Sequence, residues 1–304
     1  MATEATLHDG STIEVEVHGT GPVVLLPVDP RPAEGEQAGE LRKWGMDPAL
    51  GRSLIDGLRD AFQVVAFDYQ GHVMSTPKPG TLTPANVAAD LLAVADAAGA
   101  GRFAYYGYSW LALSGLQLAI RTDRLSALVM GGFPPYGGPY AEMLGVTRAT
   151  HAMAVDPQPA PVSAPVSEPE SGSEPVSEPE SGSALVSEPE SGSEYDWSSA
   201  EVTIGEEATR QFVTLYEALR GFDDREVRLS CPRLCFAGSA DEIDYDERWG
   251  GVRVSIGGPL ARHEAELTAL GWDVAVLDGL DHMSAMQPPN VLPLLRPWLE
   301  KTLL

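Results

Sequence analysis

The chain has 304 residues, a formal net charge of −24, 43% hydrophobic residues and two cysteines. That length suffices for one large α/β domain or two smaller ones, each able to bury a core. The charge argues against nucleic acid and anionic membranes as partners, and no run of 18 apolar residues is present to span a bilayer.

The amino terminus, MATEATLHDGSTIEVEVHG, has neither a basic start nor an apolar stretch, so it does not read as a secretory signal and a cytoplasmic location is expected. Within it, LHDGSTIEVEVHG predicts a hairpin turning at Asp9-Gly10. Residues 23–26 are a short apolar run suited to a buried strand. A helix over 48–62 and a strand over 63–67 follow. Thr83-Pro84-Ala85-Asn86 caps a helix that runs to about Ala98 and closes at Gly99. Next come a strand at 103–108, a helix from Trp110 and a strand at 127–130. Near the end, strands at 233–237 and 273–277 alternate with helices at 258–270 and 291–302. Alternation with uniformly apolar strands predicts a mostly parallel sheet covered by helices on both faces.

One segment interrupts this order. PVSEPESGSE, PVSEPESGSA and LVSEPESGSE, residues 165–194, are a threefold ten-residue repeat without aromatic or basic residues. Such a sequence cannot bury enough apolar surface to offset chain entropy, so disorder is expected over about 157–194. It reads as a tolerated surface-loop expansion, with a phosphorylated tether or docking segment as the functional alternative. Cys231 and Cys235 on an extended strand would lie roughly 13 Å apart, too far for a disulfide. They are expected as buried thiols, with no metal-ligand cluster around them.

The chemistry centres on YYGYSWLALSG, residues 105–115. An apolar strand runs into Ser109 and an apolar helix leaves it, which is the setting of a serine nucleophile on a strained turn. A helix cap is the competing role for this serine. The usual G-x-S-x-G pattern is broken at Leu111. A serine nucleophile needs a base and a carboxylate to orient it, and parallel sheets gather such groups at the C-terminal ends of their strands. Asp241, in GSADEI, comes first after one late strand, although Glu242, Asp244 and Asp246 compete with it. His282, in LDHMS, follows the last strand. His263, beside Glu264, reads as a solvated helix face, and His72 as structural.

Ser109, Asp241 and His282 occur in the order of the α/β-hydrolase layout, and the chain resembles that superfamily over roughly 5–135 and 225–304. AFDYQGHVMS (66–75) is similar to its D-x-R-G-x-G-x-S loop, and LLPVDP (25–30) stands where it usually has L-L-H-G-x-P. The resemblance implies a hydrolase core at 1–135 and 229–304, with a helical cap at 136–228 inserted after the sixth strand. Some members carry the acid after that strand, but GGFPPYGG (131–138) offers none. The resemblance also implies an oxyanion hole from the backbone N–H groups of Trp110 and Asp29. A carboxylate there is unusual: like charges ~4 Å apart repel by ~4 kcal/mol at an effective dielectric of ~20. Asp29 is therefore expected to point away.

The implied activity is a serine hydrolase of a small organic ester, thioester or lactone, working through a Ser-His-Asp triad without cofactor or metal. The expected partner is a small-molecule substrate, with no nucleic acid and no membrane. Two other classes stay open: a lyase or peroxidase-like enzyme that uses Asp29 as an acid–base group, and a ligand-binding protein with a vestigial triad. Tyr136, Tyr140, Met143, Met153, Tyr195, Trp197, Phe212 and Tyr216 make the cap rich in side chains that could pack on the core or line an apolar pocket.

Overall fold

Apolar residues on both faces of the short central strands build two cores. In β3 (Val23–Leu26), β4 (Gln63–Ala66), β5 (Phe103–Tyr108), β6 (Leu125–Gly131) and β7 (Arg233–Gly238), alternate side chains point to opposite sides. Val24, Leu26, Val64, Ala66, Ala104 and Tyr106 meet α2 (Leu50–Leu58) and α11 (Pro288–Leu303) on one face. Leu25, Val65, Phe103, Tyr105 and Leu128 join the core on the other face with α4 (Pro84–Ala97) and α5 (Trp110–Ala119). On α2, Leu54, Ile55 and Leu58 recur at helical spacing and are fully buried. Each such side chain stabilises the fold by about 1.5–3 kcal/mol.

The computed structural model describes residues 2–43, 45–156 and 205–304, so the repeat at 157–194, Tyr195 and Trp197 lie outside the described residues. Eight strands form one sheet in the order β1-β2-β4-β3-β5-β6-β7-β10, where β1 is Ala2–Thr6, β2 is Thr12–His18 and β10 is Trp272–Leu277. β1 and β2 are the antiparallel edge; from β4 onward the neighbours run parallel. The turn joining β1 to β2 contains Asp9 and Gly10, as the sequence predicts, with Gly10 at φ 84°. Thr83 caps α4 by accepting from the Asn86 N–H. Among the described residues no helix is long and apolar enough to cross a membrane.

Several boundaries differ from the sequence reading. The helix expected at 48–62 is the shorter α2, and the one expected at 258–270 breaks at His263 into α8 (Gly257–Arg262) and α9 (Glu264–Ala269). His263 leaves helical geometry there, and its ring packs tilted against Tyr136 at 5.0 Å, so it is not simply a solvated helix face. A helix α1 (Gly35–Lys43) was not expected. The acidic run after Asp241 forms a hairpin, β8 (Glu242–Asp244) with β9 (Arg253–Ser255), because Glu242 accepts from Ser255 and Arg253. Cys235 is buried in β7, whereas Cys231 lies before the strand and is only partly covered, which corrects the expectation of two buried thiols.

Candidate active site

Ser109 directly follows β5 and precedes α5, with φ 57° and ψ −129°. It is the only non-glycine residue with positive φ among the described residues. Such a conformation costs about 1–3 kcal/mol and is held only where the surroundings fix it. Here the Ser109 N–H donates to the Gly131 carbonyl at 2.8 Å, while the Ala112 and Leu113 N–H groups close the helix onto the Ser109 carbonyl. The serine is not a side-chain cap, since its hydroxyl bonds no helix N–H.

Glycines let the turn around Ser109 pack closely. A Cβ on Gly107 would lie 2.4 Å from the Leu111 carbonyl oxygen, and one on Gly115 would lie 2.5 Å from the Tyr105 ring. The Leu111 carbonyl also accepts the buried Tyr105 hydroxyl at 2.8 Å. The close approach is thus made by the backbone of residue 111, while its side chain packs into the core. Gly107→Ala is expected to destabilise the protein by about 1–3 kcal/mol and to lower the reactivity of Ser109, as measured by thermal melting and active-site labelling.

The partners arrive along the strand register. Tyr108 is level with Gly131, Gly131 with Phe236, and Gly238 with Leu277, so the loops after β5, β7 and β10 leave the same edge of the sheet. Asp241, fully buried, accepts from His282 Nδ1 at 2.9 and 3.1 Å. Its rivals are engaged elsewhere: Glu242 and Asp244 with Arg253, and Asp246 as a cap for the Arg248 N–H. His282 opens α10 (His282–Ala285), whose capping box of Asp281 and Ser284 sets the direction of the loop. The Tyr108 hydroxyl donates to the His282 carbonyl at 2.8 Å, and the two rings pack tilted, with centroids 5.1 Å apart. Gly238 leaves room for this loop, because a Cβ there would lie 1.9 Å from the Leu280 oxygen.

Ser109 and His282 line one cavity of about 480 Å³, but among the described residues the Ser109 hydroxyl makes no hydrogen bond to the imidazole. Catalytic hydrogen bonds of this kind often tighten only when substrate binds. Trp110 and Asp29 line the same cavity, and their backbone N–H groups donate to no described backbone acceptor. The Asp29 carboxylate is 48% exposed, accepts the Arg31 N–H at 2.9 Å and pairs with the Arg31 side chain. Its bonded partner is thus Arg31, while its charge is also felt by Asp68.

Asp68 also lines the cavity and caps α3 (Tyr69–Ser75) through the Gly71 N–H. Burial lifts its carboxyl above the ordinary value, and the nearby Asp29 charge adds to this. The indole N–H of Trp110 donates to Gln70 on α3. His72 is structural: its Nε2 lies 3.0 Å from the Ser11 hydroxyl, within a network that includes Asp9 and the buried Lys78. Sequence reasoning missed Tyr108, Gln70 and the Asp281 cap. Only the cap had a local signal, an Asp three residues before a Ser at a helix start.

Above Ser109 lie α6 (Tyr140–Val155) and α7 (Glu206–Glu217), with Phe212 edge-on to Trp110 at 5.4 Å. A second cavity of about 210 Å³ opens between them and Ser109, walled by Met143, Phe212 and Tyr216 among the aromatic and Met residues expected there. Gln211 of α7 ties these helices to the core through the Lys78 N–H and the Val73 carbonyl.

No protein-family profile matches the chain. RutD of Klebsiella pneumoniae (strain 342), whose name assigns it to carbamate hydrolysis, is 40% identical over 75 residues. That stretch is 24% of this chain and spans 28% of the relative. The fold is similar to an esterase from Thermogutta terrifontis, with a TM-score of 0.59 at 19% identity over 100% of both chains. It is also similar to the enol-lactonase from Burkholderia xenovorans LB400, with a TM-score of 0.56 at 17% identity over 98% of this chain and 99% of that one. The strand order, the parallel crossovers and these likenesses agree, and the chain has the α/β-hydrolase fold.

Proposed function

We propose that the chain is a serine hydrolase that cleaves a small organic ester, thioester or lactone through a covalent acyl-enzyme. The observation that carries this reading is the meeting of the positive-φ Ser109 and the Asp241–His282 pair at one cavity. Ser109 Oγ attacks the acyl carbon while His282 takes its proton, and Asp241 holds the imidazole in the required tautomer. The N–H groups of Trp110 and Asp29 receive the oxyanion. His282 then passes the proton to the leaving atom as its bond to carbon breaks. Water repeats the sequence on the acyl-enzyme and restores Ser109. The helices α6 and α7 serve as a cap over this centre. A carbamate presents the same kind of acyl carbon and belongs in the substrate panel, given the name of the partial relative.

The test is reaction with a fluorophosphonate followed by peptide mass mapping. Label on Ser109, lost in Ser109→Ala, supports the reading; an unlabelled protein defeats it. The lyase or peroxidase-like alternative invokes Asp29 as its acid–base group, and the Asp29 carboxylate accepts from the Arg31 N–H. Asp29→Asn is accordingly expected to change ester turnover by less than about tenfold, or about 1.4 kcal/mol in the barrier. A hundredfold gain in steady-state assays would instead mean that its charge opposes the oxyanion.

A further inference from the structure

The two cavities at Ser109 have only Ser109 and Trp110 in common. The larger is bounded by Met46, Leu50, Met283 and Met286, and also by the acidic Asp29 and Asp68. The smaller lies beneath α6 and α7, among Met143, Phe212, Tyr216 and three threonines. Building on the serine-hydrolase reading, we propose that the cavities divide the substrate at its scissile carbonyl. A short hydrocarbon or aryl acyl group enters the smaller cavity, and a larger apolar alcohol or thiol leaving group fills the larger one.

Proton transfer fixes the direction. The leaving oxygen or sulfur must come within about 2.6–3.2 Å of His282 Nε2 to receive the serine proton. His282 and its neighbours Met283 and Met286 wall the larger cavity and contribute nothing to the smaller one. The leaving group therefore extends along α10 and α2, and the acyl chain takes the opposite exit from the carbonyl, toward α6 and α7. Bond changes balance without a further reactant: Ser109 Oγ bonds the acyl carbon, the bond from that carbon to the leaving atom breaks, and the hydroxyl proton ends on the leaving atom. Water completes the cycle.

Size and polarity define the acyl group. At about 210 Å³ the smaller cavity is below the roughly 300–1,000 Å³ of pockets for drug-sized ligands. It is somewhat larger than the roughly 150 Å³ that holds benzene. Acyl groups up to about a benzoyl or hexanoyl fit. The threonines give it little polar character, since each hydroxyl has a single hydrogen to donate. Thr147 donates to the Leu144 carbonyl at 3.1 Å, Thr150 to Val146 at 2.9 Å and Thr209 to Glu206 at 2.8 Å. No threonine hydrogen is left for a carboxylate or other acceptor on the acyl chain. The larger cavity has more than twice the volume, and Met46, Met283 and Met286 give it a deformable apolar wall.

Octyl acetate and ethyl octanoate test this assignment, because they are isomers whose leaving groups are both primary alcohols. Their overall apolarity and need for protonation match, and only the side of the carbonyl that carries the long chain differs. With the full-length protein, kcat/KM is expected to favour octyl acetate by about tenfold or more. Phe212→Ala, which opens the smaller cavity, is expected to raise the rate on ethyl octanoate. Met46→Trp, which fills the larger one, is expected to lower the rate on octyl acetate. A ratio near one or reversed, a variant that acts on the opposite isomer, or a labelled protein that cleaves neither isomer overturns the assignment. Failure of Ser109 to take the fluorophosphonate overturns the serine-hydrolase reading itself, so the two failures are distinguishable.

Discussion

Ser109→Ala is expected to lower ester kcat by about 10⁴- to 10⁶-fold, with the residual rate supplied by the oxyanion donors and binding alone. The size of the effect follows from the absence of an alternative nucleophile at the turn: the neighbours are Tyr108, committed to the His282 carbonyl, and Trp110. The backbone gives a second readout. Alanine keeps the Cβ and with it the cost of φ 57°, so Ser109→Ala should melt within about a degree of the parent. Glycine adopts positive φ freely. Ser109→Gly should be equally inactive yet more stable by about 1 kcal/mol, a rise of about 2 °C in Tm for a chain of this size. Inactivity with a lower Tm in both variants would indicate damage to the fold, and retained turnover in Ser109→Ala would exclude the serine mechanism.

Asp241→Asn is expected to cost about 10⁴-fold in kcat with KM changed much less. The amide preserves the shape of a fully buried carboxylate but removes the charge that accompanies His282. An asparagine NH₂ facing the imidazole donates where the carboxylate accepted. Nδ1 must then be the acceptor and Nε2 carries the hydrogen, which leaves no base for the serine. The same change at Glu242, Asp244 or Asp246 should alter kcat by less than about tenfold, since those side chains hold Arg253 and a local turn. A steady-state comparison of the four variants measures this directly. Equal losses at all four positions would mean that the acidic run acts on the site through the general field and not through one hydrogen bond.

The sequence by itself determined the architecture, because the signals for it are local. Four-residue apolar runs such as 23–26, a Thr-Pro helix start at 83–84 and glycines at turn positions constrain their own backbone wherever they sit. They were sufficient to place most strands of the main sheet and to rank Asp241 first among its neighbouring acids. Even α11 was legible with Pro293 and Pro297 inside it, since Val291, Leu295, Trp298 and Leu299 recur at helical spacing. Their burial offsets prolines that cost about 3 kcal/mol each in a helix interior.

Tertiary structure alone decided what depends on contacts between distant residues. It selected Asp241 from four neighbouring acids, because only the register of β7 against β10 brings one of them to His282. It made room for the backbone at Leu111, through Gly107, and paired Asp29 with Arg31. It split the space around Ser109 into two unequal cavities, because α6 and α7 close over one side of the serine while α2 and α10 wall the other. Periodicity records which face of an element is apolar, but the distance between two faces is set only when the whole chain has packed.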